Sequence, residues 1–430
     1  MTLAAATHPT TAPQDERWSR LDRRLVRPIL WLTIASGCLV TFEPSPYELM
    51  FLLLCWAVLV RGLTIPRFIA PVVLLLPVMF TIGGISAVVQ VVYEFDAVRY
   101  VAISMYLTVT TVIFAALVCE DPVGRLKIIR SAYIVAAVIA ATAAIIGYFS
   151  LFPGANELFT LYNRARGTFK DPNVYGPFLI FPALLLIQDL LTRRGGRFIL
   201  SALPLGVIVI GVLLSFSRAA WAHFLISTLL MVAMMFVLTP DARLRLRMGI
   251  GAAVGSMVFA GLIVGILAVP EVADVFKVRA DLSQSYDVGE TGRFATQQRA
   301  IWEIIDRPLG LGPLQFSKHY GQDPHNVFIN AFSSYGWIGG FSYITFVVLT
   351  WIVGLRYALV RTPWRLYHFA ALATFMPLSL EGFIVDTDHW RHFFLIGGIL
   401  WGMSAAAANL QRTRSAIPTG ADAPYLRAAM

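Results

Sequence analysis

Apolar runs of about twenty residues recur along this 430-residue chain, separated by short polar breaks. A helix needs ~20 predominantly apolar residues to cross a bilayer. In hydrocarbon, only a helix or a closed barrel satisfies its own backbone hydrogen bonds. The repeated runs therefore predict an all-α, polytopic transmembrane protein. The composition agrees: 57% of residues are hydrophobic and 14% charged, against about 25% charged in a soluble domain. The formal net charge of +9 would suggest nucleic acid in a soluble protein. Here it follows from Lys and Arg in inner loops, and no nucleic-acid partner is expected. Cys38, Cys55 and Cys119 lie in or beside apolar runs and offer no disulfide framework or metal spacing. No cleavable signal peptide is apparent, so the first run is expected to be an uncleaved anchor.

About twelve spans are predicted, near 28–43, 47–63, 68–92, 97–118, 127–150, 173–191, 198–215, 219–239, 248–269, 327–354, 364–381 and 392–409. The first, second and seventh are short. Pro77 and Pro182 are expected to kink their helices. One set of loops is uniformly basic, from Arg17–Arg27 and Arg61–Arg67 through Arg125–Arg130, Arg193–Arg197, Arg243–Arg247 and Arg356–Arg365 to Arg412 and Arg414. The opposite set contains the acidic stretches at 43–46 and 93–96. By the positive-inside rule both termini are cytoplasmic. The chain then divides into a basic tail (1–27), nine spans (28–269), a periplasmic helical subdomain (270–326), three spans (327–409) and a second tail (410–430). The subdomain is the longest polar segment between two spans. It holds Arg293, Arg299, His319 and His325.

Several cations fall on the side where that rule disfavours them: Arg164, Arg166, Lys170, Arg218, Arg293 and Arg299, with Arg99 and Arg391 near other outer ends. Single members could pair with Asp171, Glu290 or Asp306. As a set they suggest an anionic ligand at the outer leaflet. A lipid-linked diphosphate fits, because a guanidinium grips phosphate oxygens bidentately. Four segments carry these residues. In RARGTFKDPNVYGP (164–177), Asp171-Pro172-Asn173 reads as a helix cap and first turn. LLSFSRAAW (213–221) places Arg218 nearly at membrane depth, where an Arg can also simply snorkel. TGRFATQQRAIW (291–302) has the spacing of an amphipathic helix lying along the membrane. Arg293 falls in its first turn, where backbone N–H groups also attract anions. PHNVFINAFSSYGWIGG (324–340) sets His325 and Asn326 where the chain enters a span. Histidine suits proton transfer near neutral pH. Gly336, Gly339 and Gly340 allow close packing. A fifth stretch, EGFIVDTDHWRH (381–392), could by residue type hold a metal through Asp386, Asp388, His389 and His392. An acidic outer loop pairing with Arg391 is preferred, and no metal is expected.

These four segments, in this order and on one side, resemble the O-antigen ligase and O-antigen polymerase family of bacterial inner-membrane glycosyltransferases. The resemblance covers Arg164 to Gly340. It implies an undecaprenyl-diphosphate-linked glycan as donor and an acceptor sugar hydroxyl, on lipid A core or on a growing glycan, as nucleophile. No metal, nucleotide or other cofactor is implied. By the same resemblance His325 is the general base or orients the acceptor, and Arg218, Arg293 and Arg166 bind the diphosphate. Asn326, Lys170 and Arg299 are supporting residues. A ligase is preferred over a polymerase on the arrangement of Arg218, Arg293 and His325. A lipid or sugar flippase is the rival class, but transporters place ionisable residues near the midplane, and here they gather at the rim. A purely structural role gives no reason for the outer cations.

Overall fold

The computed structural model describes residues 18–42, 44–91, 94–192, 198–280 and 292–416. Glu43, Tyr93, Arg193, Arg194, Arg197 and Glu290, together with both distal tails, lie outside the described residues.

All twelve apolar runs are helical. The first five are α1 (Arg27–Ser36), α2 (Pro46–Arg61), α3 (Leu75–Gln90), α4 (Phe95–Glu120) and α5 (Pro122–Tyr148). A short helix, α6 (Ala155–Phe159), leads into the hairpin β1 (Thr160–Leu161) and β2 (Arg164–Ala165), antiparallel with Leu161 opposite Arg164. Then follow α7 (Pro172–Phe178), α8 (Ile180–Thr192), α9 (Phe198–Leu214), α10 (Arg218–Leu238) and α11 (Ala242–Leu267). The polar segment holds α12 (Pro270–Ala280), α13 (Arg293–Asp306) and α14 (Gln315–Tyr320). The chain ends with α15 (Val327–Ala358), α16 (Arg365–Glu381) and α17 (Arg391–Ala416). Among the described residues, seven stretches are long and apolar enough to cross a membrane: α4, α5, α7 with α8, α10, α11, α15 and α17. The chain is a multi-pass helical membrane protein.

Caps and prolines set the helix starts. Ser45 and Glu48 form a capping box ahead of Pro46. Asp121 accepts from Gly124 N (2.9 Å) ahead of Pro122. Asp171 accepts from Asn173 N (2.6 Å) ahead of Pro172, as the sequence predicts. The kink near Pro182 is the break at Leu179 between α7 and α8, because proline donates no bond to the preceding turn. Pro77 is preceded by a π-helical turn at Ala70–Leu74. A third kink, not expected from any proline, sits in α15 at Gly336 (φ 64°, ψ −170°).

Polar contacts sort into two ends. At one, Asp22 is paired with Arg125 and lies 2.9 Å from Arg27; Arg61 lies 2.7 Å from Glu120, and Arg27 lies 3.4 Å from Asp121. At the other, Lys318 pairs with Glu94, Gln90 donates to Leu309 O (2.9 Å), and Val40 N donates to Thr168 O (3.0 Å). Each of these contacts joins residues that the loop-charge pattern puts on one side. The core between the ends is apolar and runs through α4, α5, α8, α16 and α17.

The polar segment is bolted to the N-terminal half of α15. Leu311 N and Gly312 N donate to Ser333 O (2.8 and 3.0 Å), and Trp337 N donates to Pro308 O (2.8 Å). Gly336 and Gly310 make this approach possible: a Cβ at Gly336 would lie 2.6 Å from Pro308 O, and one at Gly310 2.6 Å from Ser333 O. Both have positive φ, which glycine tolerates without strain. A small apolar cluster of Ala300, Leu311, Phe316 and Ile329 seats α13 and α14 on this platform.

Candidate active site

His325 is shaped by the helix start that follows it. Asn326 caps α15, its side chain accepting from Phe328 N (3.0 Å) and Ile329 N (3.2 Å). The preceding residue must turn sharply, and His325 takes φ 48°, a left-handed conformation costly for a branched backbone. That turn sets imidazole Nδ1 3.6 Å from Asp386 Oδ2, while the side chain stays 50% exposed. Asp386 holds the imidazole above the ordinary histidine pKa, against the opposing effects of burial and of Arg293.

Helix α13 fixes this turn from above. Its start follows Gly292, and Thr296 Oγ1 accepts from Gln322 (2.6 Å). Gln297 Nε2 donates to Phe383 O (3.2 Å) and reaches His325 O (3.5 Å). Val327 N donates to Gly382 O (2.8 Å). So α13, the His325 turn and the loop after α16 form one assembly. Arg293, first in α13, is near enough to act on the imidazole.

Beside Asp386 opens a cavity of about 300 Å³, with Tyr100, Lys170, Asn330, Ser334, Asp386 and Asp388 among its lining residues. Tyr100 donates to Asp388; Asn330 Nδ2 donates to Tyr100 Oη (2.9 Å) and lies 3.4 Å from Asp388 Oδ2. Ser334 Oγ donates to Asn330 Oδ1 (2.9 Å).

The structure thus places Lys170 on the cavity wall and joins His325 to that wall through Asp386, with Arg293 near the imidazole. Arg218 opens α10. Its cap, Ser217, accepts from Ala220 N (3.4 Å) and donates to Asn173 Oδ1 (3.0 Å), which also accepts from Arg164 (2.7 Å). The segments around 164–177 and 213–221 therefore meet at Asn173. Five residues on, His223 Nδ1 lies 3.0 Å from Glu381 Oε2, with Nε2 donating to Thr374 O (3.0 Å). This ties α10 to the C-terminal turn of α16, next to the His325 assembly. Arg166 turns instead to the carbonyls of Glu157 and Leu158 (3.2 and 3.4 Å). Arg299 is exposed and stands 5.8 Å from the Tyr320 ring centre. His319 donates to Gln315 O (2.9 Å), a structural bond within α14.

The expectation that the 381–392 loop pairs with Arg391 is corrected. Arg391 turns to Glu48 at the start of α2, with Nε 2.6 Å from Oε1, and Tyr106 shares the same oxygen (2.9 Å). That frees Asp386 and Asp388 to face His325 and the cavity. Among the described residues, no group of three His, Cys, Asp or Glu side chains is arranged to hold a metal. Asp386, Asp388, Tyr100 and Asn330 were not assigned to the site from sequence. The available signal was a second outer loop rich in Asp and His, read there as an acidic loop or a weak metal pattern.

Residues 203–344 match the family model described as O-antigen ligase. The match covers about a third of the chain and supports the O-antigen ligase family. The matched segment of the O-antigen ligase domain runs from α9 into α15 and includes Arg218, Arg293, Arg299, His325 and Asn326. It stops short of Asp386 and Asp388, and begins after Arg166 and Lys170. The match supports a ligase- or polymerase-type, glycosyltransferase-like function in general terms. No curated protein matches the chain.

Proposed function

We propose that the chain transfers a glycan from undecaprenyl diphosphate to an acceptor sugar hydroxyl at the periplasmic face of the bacterial inner membrane. The acceptor is lipid A core, making the protein an O-antigen ligase. The observation that carries this reading is the His325–Asp386 pair at the rim of a polar cavity, with Arg293 on the adjoining helix start. His325 takes the hydroxyl proton as the acceptor oxygen attacks the anomeric carbon. The new C–O bond forms as the bond to the diphosphate oxygen breaks, and undecaprenyl diphosphate leaves. Asp386 orients the imidazole and stabilises its charged form. Arg293 and Arg218 bind the diphosphate and meet the charge that develops on it. Lys170 supports that field from the cavity wall, and Asn326 sets the turn of His325. Arg166 and Arg299 are outer members of the same basic surface.

The wider topology is part of the proposal: twelve spans, both termini cytoplasmic, and 270–326 as a periplasmic subdomain. The sorting of polar contacts into two ends supports it. Helix α13 exposes Phe294, Ile301, Trp302 and Ile305 beside exposed Trp337 and Phe341 of α15. That continuous apolar and aromatic face suits the outer membrane interface.

The test is a glycolipid profile of a deletion strain complemented with wild type or His325→Ala. Glycan complete on undecaprenyl diphosphate but missing from lipid A core supports the ligase. Single repeat units accumulating on the carrier make it a polymerase. An intermediate stranded in the inner leaflet would replace the transferase with a flippase.

A further inference from the structure

The cavity beside His325 has a chemistry of its own. Its wall is rich in acceptor oxygens and includes three carboxylates, Asp323, Asp386 and Asp388, together with Lys170 and Arg391. Asp388 is 7% exposed, and both of its donors, Tyr100 and Asn330, go to Oδ2. Oδ1 accepts from no donor among the described residues. Asp386 divides in the same way: Oδ2 faces His325, while Oδ1 is buried without a hydrogen-bond partner among the described residues. A buried carboxylate oxygen without a donor is costly, because it has given up its water without replacement. The buried Asp386 Oδ1, beside an Asp388 Oδ1 that takes neither of that residue's two donors, calls for a ligand that brings O–H or N–H groups. Of the two cations on the wall, Arg391 is already paired with Glu48. Ser334 and Trp390 line the same space. At about 300 Å³ the cavity falls at the small end of the ~300–1,000 Å³ range of small-molecule sites, with room for a sugar ring.

We propose that this cavity is the acceptor-sugar subsite, in which Asp388 Oδ1 and Asp386 Oδ1 accept hydroxyl hydrogens of the acceptor glycan. This rests on the transferase reading above. The position argues for acceptor over donor: Asp386 is shared between the cavity and His325, so a sugar held by Oδ1 presents its next hydroxyl to the base. The donor's diphosphate goes with Arg293, which acts on the imidazole from the start of α13 and is not among the cavity's lining residues. Tyr100, Asn330 and Ser334 are positioning residues that fix the Asp388 carboxylate.

The experiment uses the full-length protein in nanodiscs. The lipid-linked glycan and acceptor glycolipid pools extracted from a deletion strain serve as probes, each titrated against a fixed amount of the other. Asp388→Asn is expected to raise the half-saturating acceptor concentration roughly 10- to 100-fold, the equivalent of losing a charge-assisted hydrogen bond. The half-saturating donor concentration stays unchanged. Ser334→Ala, which leaves the carboxylate in place, gives a smaller rise in the same parameter. Arg293→Ala shows the reverse split. In parallel, carbodiimide labelling of Asp386 and Asp388, read by mass spectrometry, is expected to fall when the acceptor pool is present. It is not expected to fall with undecaprenyl diphosphate or with Mg²⁺ alone. Transfer by wild type with no acceptor protection, and an unchanged acceptor dependence in both variants, would overturn the subsite while leaving the transferase intact. Protection by glycan without any transfer would retain the sugar site and sink the transferase. Protection by Mg²⁺ alone would overturn the subsite in favour of a cation.

Discussion

Replacing Gly336 by Ala should disable the site without touching it. The glycine sits at φ 64°, ψ −170°, a region reserved for glycine, where another residue costs ~1–3 kcal/mol. The added Cβ would also stand 2.6 Å from Pro308 O and 2.8 Å from Leu309 C, backbone atoms that cannot rotate aside. The alternative to keeping that strain is to lift the 307–312 turn. Lifting it gives up the bonds of Trp337 N, Leu311 N and Gly312 N, at about 0.5–1.5 kcal/mol each. By either route the local cost is ~2–4 kcal/mol. That raises the population with the segment detached by roughly 30- to 700-fold. Because α13 carries Arg293 and its Gln297 grips the His325 turn, detachment misplaces both. Hydrogen-exchange mass spectrometry of the full-length protein in nanodiscs is the assay. Peptides spanning 307–325 should exchange faster by that factor, those of α4 should not, and glycan transfer should fall. Gly255→Ala on α11, where an added Cβ meets nothing within 4 Å, is the control and should leave both readouts unchanged. Wild-type exchange and transfer in Gly336→Ala would refute the idea that the α15 kink positions the site.

Other expectations are equally specific. Asp386→Asn removes the group that holds the His325 pKa up. The base then stays neutral to lower pH, so the acid limb of the pH–rate profile should move to lower pH while the maximal rate falls. An unmoved limb would take His325 out of the base role. Arg293→Lys keeps the charge but loses the bidentate fork and should weaken donor use about tenfold, measured by donor titration. Arg299→Ala should change transfer by less than about threefold, since an exposed cation–π contact is worth only ~0.5–1 kcal/mol. Arg391→Ala strands Glu48, only 17% exposed, and should cost up to ~3–5 kcal/mol of stability in thermal unfolding.

The helices were legible because bilayer thickness writes itself into run length, and each of the twelve runs is a helix. The cap at Asp171 and the amphipathic helix after Gly292 were equally local and equally readable; the cap at Asn326 was not read from the sequence. The α15 kink was not, because Gly336 responds to Pro308, a contact through space. The site was half legible for the same reason. His325 and Arg293 share one polar segment, so sequence proximity pointed to them. Asp386 reaches His325 from the loop after α16, and Tyr100 comes from the start of α4. Residue type alone made that loop look like a metal pattern or a partner for Arg391, whereas Arg391 is taken by Glu48 from α2. Arg166 was grouped with the diphosphate binders by its side of the membrane, and its guanidinium bonds to the carbonyls of its own hairpin.

The most direct measurement is release of undecaprenyl diphosphate by the purified full-length protein, comparing wild type, His325→Ala, Arg293→Ala and the double variant. Release should match glycan transferred, and each single change should cost ~10²–10⁴ in rate, typical of losing a base or an oxyanion-stabilising group. Because the two act on one reacting centre, the double variant should be little worse than the worse single. No release by wild type, or losses that multiply as though the residues belonged to separate sites, would contradict the account.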